Sequence, residues 1–237
     1  MSQLKVLLTG PSGRIGPHLV APFDERYELH LFDIAPLPHP RSHVGSLQDV
    51  ESLRRALRGM DAVLHLAATS DEAPFREELL PNNIEGLYNL LDAAHQEGVR
   101  RVVFASSVQT VWCGFDQTEA PIETDFYAPC SLYGISKIFG EMAGKWYHQK
   151  FGLEFVAVRL GWFEQTELLH PDNWINNVWI SPDDAVQLFQ RALETPNLGF
   201  AVVNGTSDTP RELLSLRSAR ELLGYEPQDQ VQKRLAA

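Results

Sequence analysis

The chain has 237 residues, of which 44% are hydrophobic and 22% are charged, a composition typical of a globular protein. Its 20 basic and 31 acidic residues give a net charge of −11, which argues against a surface for nucleic acid or anionic membrane. No apolar run approaches the roughly 20 residues of a membrane-spanning helix, and the first strand-like run already begins at Leu4, so we expect a cytoplasmic protein without a signal peptide.

The cysteines and histidines show no spacing typical of a metal site. Cys113 and Cys130 are far apart in the chain, and the eight histidines are scattered. We therefore expect two reduced thiols and no bound metal.

An apolar run at the N-terminus predicts a buried strand, Leu4–Thr9, that leads directly into a glycine-rich turn and a helix. The turn has the spacing G-x-x-G-x-x-G, formed by Gly10, Gly13 and Gly16. Glycine lets the backbone approach a pyrophosphate closely, and the helix N-terminus supplies free N–H groups and a positive dipole end. The strand, turn and helix together favour dinucleotide binding over a plain connecting turn.

An acidic residue follows the second predicted strand, Tyr27–Phe32. Asp33 lies 17 residues beyond Gly16, where a carboxylate accepts hydrogen bonds from the adenosine ribose. Its charge would repel the 2′-phosphate of NADP, so it favours NAD. Arg14 and Arg41 are possible phosphate partners that leave NADP open as a smaller alternative.

Strands and helices alternate along the rest of the chain. Residues 34–45 predict a surface loop rich in Pro and His. Further strands are predicted at 61–66, 101–105, 152–160 and 200–203, and helices at 49–58, 83–94, 131–147, from Ser181 onward and at 214–223. This alternation predicts an α/β fold with a doubly wound parallel sheet, Rossmann-like, in a single domain over 1–237. We place a small C-terminal substrate-side cap on it, with substrate-side elements mainly in 108–130, 161–180 and 204–237.

The helix predicted from Ser131 presents a phenol and an ammonium on one face. Tyr133 and Lys137 are four residues apart, which is one helical turn. A neighbouring positive charge favours a phenolate, so we expect Lys137 to lower the pKa of Tyr133 toward neutral pH. The pattern alone is weak, because any amphipathic helix can carry a Tyr and a Lys at this spacing.

The glycine turn, Asp33, Ser107, Tyr133 and Lys137 together resemble the extended short-chain dehydrogenase/reductase superfamily over nearly the whole chain. The stretches 101–107, 131–141 and 179–184 are similar to those of uronate dehydrogenases. That resemblance implies oxidation of the anomeric carbon of a hexuronic acid to a lactone with NAD. It also implies Tyr133 as general base, Lys137 as the holder of the nicotinamide ribose and Ser107 as donor to the substrate oxygen.

The substrate side departs from the uronate dehydrogenase pattern. Val108 and Gln109 stand where those enzymes have Asn and His, and Trp162 replaces a substrate-contacting Ser, although Ser70 matches. The family's carboxylate-binding Arg has no counterpart, because residues 161–180 contain neither Arg nor Lys. A desolvated carboxylate without a cation is costly, which argues against a uronic acid.

From these patterns we assign three classes of site residue. Catalysis is assigned to Tyr133, Lys137 and Ser107. Cofactor binding is assigned to Gly10, Ser12, Gly13, Arg14, Ile15, Gly16, Asp33, Leu47, Leu66, Ala67, Ala68, Asn83, Tyr133 and Lys137. Substrate binding is assigned to Ser70, Ser107, Val108, Gln109 and Trp162.

Three functions remain open on the sequence. The first is an NAD-dependent oxidoreductase acting on a small sugar or sugar acid, with a homo-oligomeric state left open. The second is a sugar or sugar-nucleotide epimerase or dehydratase with bound NAD, disfavoured by the short stretch after the strand at 152–160. The third is a non-catalytic dinucleotide sensor, disfavoured because both Tyr133 and Lys137 are present.

Overall fold

A computed structural model describes residues 3–117, 119–163, 169 and 173–236. The strands are β1 (Lys5–Thr9), β2 (Glu28–Asp33), β3 (Ser42–Val44), β4 (Ala62–His65), β5 (Arg101–Ser107), β6 (Glu154–Leu160), β7 (Trp162–Phe163), β8 (Trp179–Ile180) and β9 (Phe200–Gly205). Seven of them form one parallel sheet in the order β3-β2-β1-β4-β5-β6-β9, and β7 pairs with β8 in a small second sheet.

Helices connect the strands on both faces of the main sheet. They are α1 (Gly16–Asp24), α2 (Val50–Leu57), α3 (Gly86–Gln96), α4 (Leu132–Phe151), α5 (Pro182–Glu194), α6 (Arg217–Leu223) and α7 (Val231–Leu235). A π-helical segment spans Phe75–Glu85, and short 3₁₀ helices span Val108–Thr110, Trp112–Gly114 and Trp174–Val178. Within the described ranges, none of these helices has the length and apolar character needed to cross a bilayer.

The alternating side chains of β1 divide the core between the two faces of the sheet. Val6 and Leu8 join the apolar cluster formed with α1, α5 and α6, whereas Leu7 joins the cluster formed with α2, α3 and α4. Strands buried on both sides need an almost continuous apolar sequence, which is what the run Leu4–Thr9 provides. The predicted doubly wound parallel α/β sheet is confirmed.

The strand order reverses between β1 and β4. The chain builds outward from β1 through β2 to β3 and then returns to β4 on the other side of β1. The connections that follow β1 and β4 therefore diverge, which opens a crevice at the carboxyl ends of these strands. Thr9 and His65 are paired neighbours at this edge, and the glycine turn starts directly after Thr9.

Two serines start the helices that flank the crevice. Ser131 Oγ accepts the N–H of Gly134 at 2.9 Å and caps α4. Ser181 Oγ accepts the N–H of Asp184 at 3.1 Å and caps α5, with Pro182 at its first position.

Several elements differ from the prediction. The supposed loop 34–45 contains β3, which pairs in parallel with β2 and owes its existence to that pairing rather than to an apolar pattern. Helix α4 runs to Phe151, four residues farther than predicted, and ends at Gly152, which adopts a left-handed conformation. The terminal helix begins at Arg217 instead of residue 214. The π-helical segment and α7 were not predicted at all.

The prediction of two reduced thiols is wrong. Cys113 and Cys130 form a disulfide, with their Cα atoms 5.4 Å apart. The long loop 108–130 folds back on itself, since Ala128 N–H donates to the Thr110 carbonyl at 2.9 Å and Cys113 N–H to the Ala128 carbonyl at 3.0 Å. This folding brings together two cysteines whose sequence spacing alone carried no signal.

Candidate active site

The glycine turn brings its backbone against the loop that follows β4. Gly10 has a positive φ of +71°, and a Cβ placed on it would lie 2.6 Å from the N and Cα atoms of Ala67. A Cβ on Gly16 would lie 2.3 Å from the Pro11 carbonyl oxygen. These positions have no room for a side chain, so the turn exposes its backbone and the first turn of α1 to the crevice.

Asp33 lies beside the glycine turn and is fixed there by two hydrogen bonds. One carboxylate oxygen accepts the N–H of Ser12 at 2.9 Å, and the other accepts the N–H of Ala35 at 3.0 Å. Asp33 is 4% exposed, and these bonds fix its carboxylate at the end of β2. A carboxylate at the end of β2, beside the glycine turn, is in the position that binds the ribose hydroxyls of a dinucleotide.

Two adjoining cavities occupy the crevice. The larger, of about 460 Å³, extends from the glycine turn to the start of α4, and the smaller, of about 260 Å³, extends from the same turn to Asp33 and Leu47. Both cavities are lined by Gly10, Gly13, Leu66 and Ala68. Of the residues assigned to the cofactor, only Asn83 lies outside the lining, so the two cavities together form a groove suited to an extended dinucleotide.

Asn83 lies outside the cavity lining and links two segments beside the crevice by hydrogen bonds. Its Oδ1 accepts the N–H of Thr69 at 2.8 Å, and its Nδ2 donates to the Thr69 carbonyl at 2.9 Å and to Ser136 Oγ at 3.0 Å. Ser136 Oγ donates in turn to the carbonyl of Tyr133 at 2.7 Å. Asn83 therefore forms a buried bridge that joins the loop after β4 to α4.

The three residues assigned to catalysis meet at the wall of the larger cavity. Ser107 ends β5, while Tyr133 and Lys137 face the cavity from the first turns of α4. Lys137 Nζ donates to the Ala105 carbonyl at 2.8 Å and lies 5.5 Å from the centroid of the Tyr133 ring. Lys137 and Tyr133 are only 4% and 9% exposed, so both side chains are largely buried in the cavity wall.

The pKa of Tyr133 shifts in the direction opposite to the prediction. Burial raises the pKa of Tyr133 to about 12, the Ser107 hydroxyl hydrogen bond opposes that rise, and Asp71 adds to it. Burial also lowers the pKa of Lys137 to about 7, because an ammonium is poorly solvated there. The sequence showed the spacing of the two groups but could not show how little water reaches them.

A buried histidine lies behind Lys137. His65 Nδ1 is hydrogen-bonded to Thr9 Oγ1 at 2.7 Å, and its ring stacks on Phe104 with centroids 6.0 Å apart. Burial, followed by the charge of Lys137, lowers the pKa of His65 to about 3, so the ring is neutral. His65 is therefore a packed residue at the end of β4.

The residues assigned to the substrate line the larger cavity opposite the glycine turn: Ser70, Ser107, Val108, Gln109 and Trp162. The cavity lining also includes eight residues that no assignment named: Asp71, Ala105, Ser106, Trp112, Leu160, Gly161, Phe163 and Ile175. Trp112 lies in the long loop after β5, where a functional residue is expected, but nothing in the sequence singled out Asp71. Its backbone is unusual, with a φ of +62°.

Comparisons with known proteins agree with this geometry. Residues 6–164 match the NAD dependent epimerase/dehydratase family. A uronate dehydrogenase from Pseudomonas syringae is 36% identical, with 95% of this chain and 82% of that protein covered. An NAD-dependent glucose-6-phosphate dehydrogenase from Haloferax volcanii is 32% identical, with 94% of this chain and 93% of that protein covered.

A solved structure shows the same fold with a nucleotide bound. A mutant of the uronate dehydrogenase from Agrobacterium tumefaciens complexed with NAD superimposes with a TM-score of 0.86 at 32% identity, covering 98% of this chain and 89% of that one. The chain belongs to the NAD dependent epimerase/dehydratase family and is an NAD-dependent enzyme of the extended short-chain dehydrogenase/reductase type.

Proposed function

We propose that the enzyme transfers a hydride from a carbinol carbon of a small, sugar-like substrate to NAD. The observation that carries this proposal is that Tyr133, Lys137 and Ser107 line the same cavity as the glycine turn. That cavity adjoins the one lined by Asp33, so the reacting groups stand at one end of a dinucleotide groove. The two related dehydrogenases, which are named for a uronate and for a sugar phosphate, support a sugar-like substrate.

The residues of the groove fit the cofactor. The exposed backbone of the glycine turn and the N-terminus of α1 suit its phosphates, and Asp33 suits its adenosine ribose. Lys137 is the residue we assign to the nicotinamide ribose. NAD, when bound, supplies the acceptor for the hydride.

Tyr133 is the proposed general base. Its phenolate takes the proton of the substrate hydroxyl as the carbon–hydrogen bond breaks, and Ser107 donates a hydrogen bond to the same substrate oxygen. Because burial raises the pKa of Tyr133 to about 12, its phenolate is scarce at neutral pH. The hydrogen bond from Ser107 partly offsets that rise in the free enzyme. Because a hydroxyl has a single proton to donate, Ser107 turns that proton to the substrate oxygen once substrate binds.

Replacing Tyr133 tests the assignment. Tyr133→Phe should lower turnover by about 10²–10⁴-fold, the usual contribution of a positioned base, and leave NADH affinity near that of the wild type. Tyr88→Phe is the matched control, because Tyr88 lies on α3 and is 54% exposed. Undiminished activity of Tyr133→Phe would refute the role of the phenol.

An epimerase or dehydratase remains the alternative, since the family includes such enzymes. Those reactions return NAD to its starting state, whereas a dehydrogenase releases NADH with each turnover. The stretch of chain after β6 is short for a nucleotide-binding substrate domain, which favours the dehydrogenase. Absorbance at the NADH band during substrate screening separates the two reactions.

Four further expectations stay predictions. These are the single domain over 1–237, the substrate-side segments 108–130, 161–180 and 204–237, the cytoplasmic location and the homo-oligomeric state.

A further inference from the structure

Aromatic and aliphatic side chains form one wall of the substrate side. Trp112, Trp162, Phe163 and Ile175 all line the larger cavity. Trp112 packs edge-on against the exposed Trp174, with ring centroids 5.0 Å apart, and this contact fixes its orientation. Such a wall suits the carbon–hydrogen face of a sugar ring, because an aromatic side chain offers a large, rigid, apolar surface.

Gln109 supplies neutral hydrogen-bonding groups to the same space. Its Nε2 donates to Asp71 Oδ1 at 3.0 Å, and its Oε1 accepts the hydroxyl of Ser131 at 2.8 Å. These two bonds fix which end of the amide is oxygen and which is nitrogen. An amide has two N–H donors and two lone pairs, so one of each can still serve a sugar hydroxyl.

Two cations, Arg14 and Lys137, line the cavity in the described part of the chain, and Arg14 pairs with Asp71 while the side chains of this pair both stay more than half exposed. Arg14 Nη2 lies 3.9 Å from Asp71 Oδ2, and Arg14 belongs to the glycine turn on the cofactor side. Lys137 Nζ donates to the Ala105 carbonyl. An anionic group on the substrate would therefore have to compete with Asp71 for Arg14 or approach the catalytic ammonium.

The sequence between β6 and α5 carries no Lys or Arg. Three acidic residues, Glu164, Glu167 and Asp172, lie in that stretch outside the described residues. A carboxylate or phosphate desolvated beside an apolar wall needs a cation to offset the loss of water. Hydroxyl groups need only neutral donors and acceptors.

We propose that this site selects an uncharged sugar over the corresponding uronate or sugar phosphate, with Gln109 binding its hydroxyls against the wall of Trp112 and Trp162. This inference rests on the proposed hydride transfer and narrows its substrate class. In the balanced reaction of a cyclic sugar, the anomeric carbon–hydrogen bond breaks and its hydride reduces NAD to NADH. The hydroxyl proton passes to Tyr133 and then to solvent, and the new C=O bond makes a lactone.

The test uses three substrates that differ only at carbon 6. D-Glucose, D-glucuronate and D-glucose 6-phosphate are compared by kcat/KM from NADH formation, with the galactose and galacturonate pair as a second series and D-glucosamine as a cationic probe. The neutral sugar should be preferred by about tenfold or more over each anion, the difference a charged hydrogen bond typically makes. A preference for either anion, or for glucosamine over glucose, would overturn the proposal.

A designed cation gives an independent check. Ile175→Arg places a guanidinium on the apolar wall and should raise the glucuronate-to-glucose ratio of kcat/KM by about tenfold, since Arg pairs well with carboxylates. Ile175→Met is the matched control for a long, unbranched but neutral side chain, and it should leave the ratio unchanged. An unchanged ratio in Ile175→Arg, with NADH affinity retained to show that the variant folds, would count against the proposed basis of selection.

Binding measurements separate this inference from the proposed function. Calorimetry on the Tyr133→Phe protein with NAD reports the affinity of each sugar without turnover. Neutral-sugar binding without any NADH formation by the wild type would sustain the selectivity and overturn the hydride transfer. Glucuronate oxidation that exceeds glucose oxidation would overturn the selectivity and sustain the hydride transfer. Failure of every sugar to bind would overturn both the selectivity and the hydride transfer.

Discussion

Arg159 and Glu141 form a salt bridge in the interior, with Arg159 Nη2 2.8 Å from Glu141 Oε2 and both side chains fully buried. Glu141 lies on α4 one turn beyond Lys137, and Arg159 lies on β6. The Ser106 hydroxyl also donates to Glu141, at 2.6 Å. The pair therefore holds the helix that carries Tyr133 against the sheet strand that precedes the substrate side.

Removing only the cation of this pair should be strongly destabilising. Arg159→Met leaves the Glu141 carboxylate buried without its cation, with the Ser106 hydroxyl still donating to it, and we expect a loss of about 3–5 kcal/mol in the free energy of unfolding, measured with urea. The double variant Arg159→Met with Glu141→Leu replaces the whole pair by apolar groups and should recover at least half of that loss. If the double variant is as unstable as the single one, the cost arises from packing and not from the unpaired charge.

The site residues that could be found from the sequence are those recognised by their spacing within a single strand, turn or helix. The glycines at 10, 13 and 16, the aspartate at the end of the second strand, and Tyr133 with Lys137 one turn apart need only the strand or helix that contains them. The fold class could also be predicted from local patterns, because apolar runs of strand length alternated with helical patterns.

The parts that sequence reasoning missed depend on contacts between distant segments. Asp71 enters the site because its loop folds toward Gln109, and Ile175 because β7 and β8 pair beside it. The disulfide and β3 likewise require neighbours that no local pattern specifies. The direction of the Tyr133 pKa shift was wrong for the same reason, since burial is a property of the assembled fold.

The charge of Asp33 should decide between NAD and NADP. Asp33→Asn keeps one of the two backbone hydrogen bonds that the carboxylate accepts and removes the charge that would repel a 2′-phosphate, so the ratio of kcat/KM for NADP to that for NAD should rise by about tenfold or more. Asp183→Asn is the control, because Asp183 is exposed in the first turn of α5, outside both cavities. An equal change in the two variants would show that net charge alone, and not the position of Asp33, governs the preference.

Ser107 should tune the pH dependence of the reaction. Because the pKa of Tyr133 is raised to about 12, kcat/KM should increase with pH between about pH 6 and 9, by up to about tenfold per unit. The Ser107 hydrogen bond lowers the pKa of Tyr133, so its removal in Ser107→Ala should displace the profile to higher pH. A wild-type profile that is flat over this range would show that proton removal by Tyr133 does not limit the reaction.

Lys137 should make stability depend on pH in a direction that can be worked out. Burial lowers the pKa of Lys137 to about 7 in the folded enzyme, whereas an unfolded chain keeps the ordinary value of about 10.4. Between these values the unfolded chain binds a proton that the folded chain has lost, so stability rises with pH through this window. The cost of burying the ammonium is fully present below about pH 7 and disappears as pH approaches the unfolded value.

Lys137→Met removes this contribution. We expect the free energy of unfolding of the wild type, relative to this variant, to increase by about 2 kcal/mol between pH 7 and 9, as measured by urea denaturation at each pH. Lys145→Met is the matched control, since Lys145 lies on the same helix in an exposed position and should show no such trend. The difference in the free energy of unfolding between wild type and Lys137→Met could instead stay constant with pH. That result would mean that Lys137 keeps an ordinary pKa in the cavity wall, where its ammonium donates to the Ala105 carbonyl.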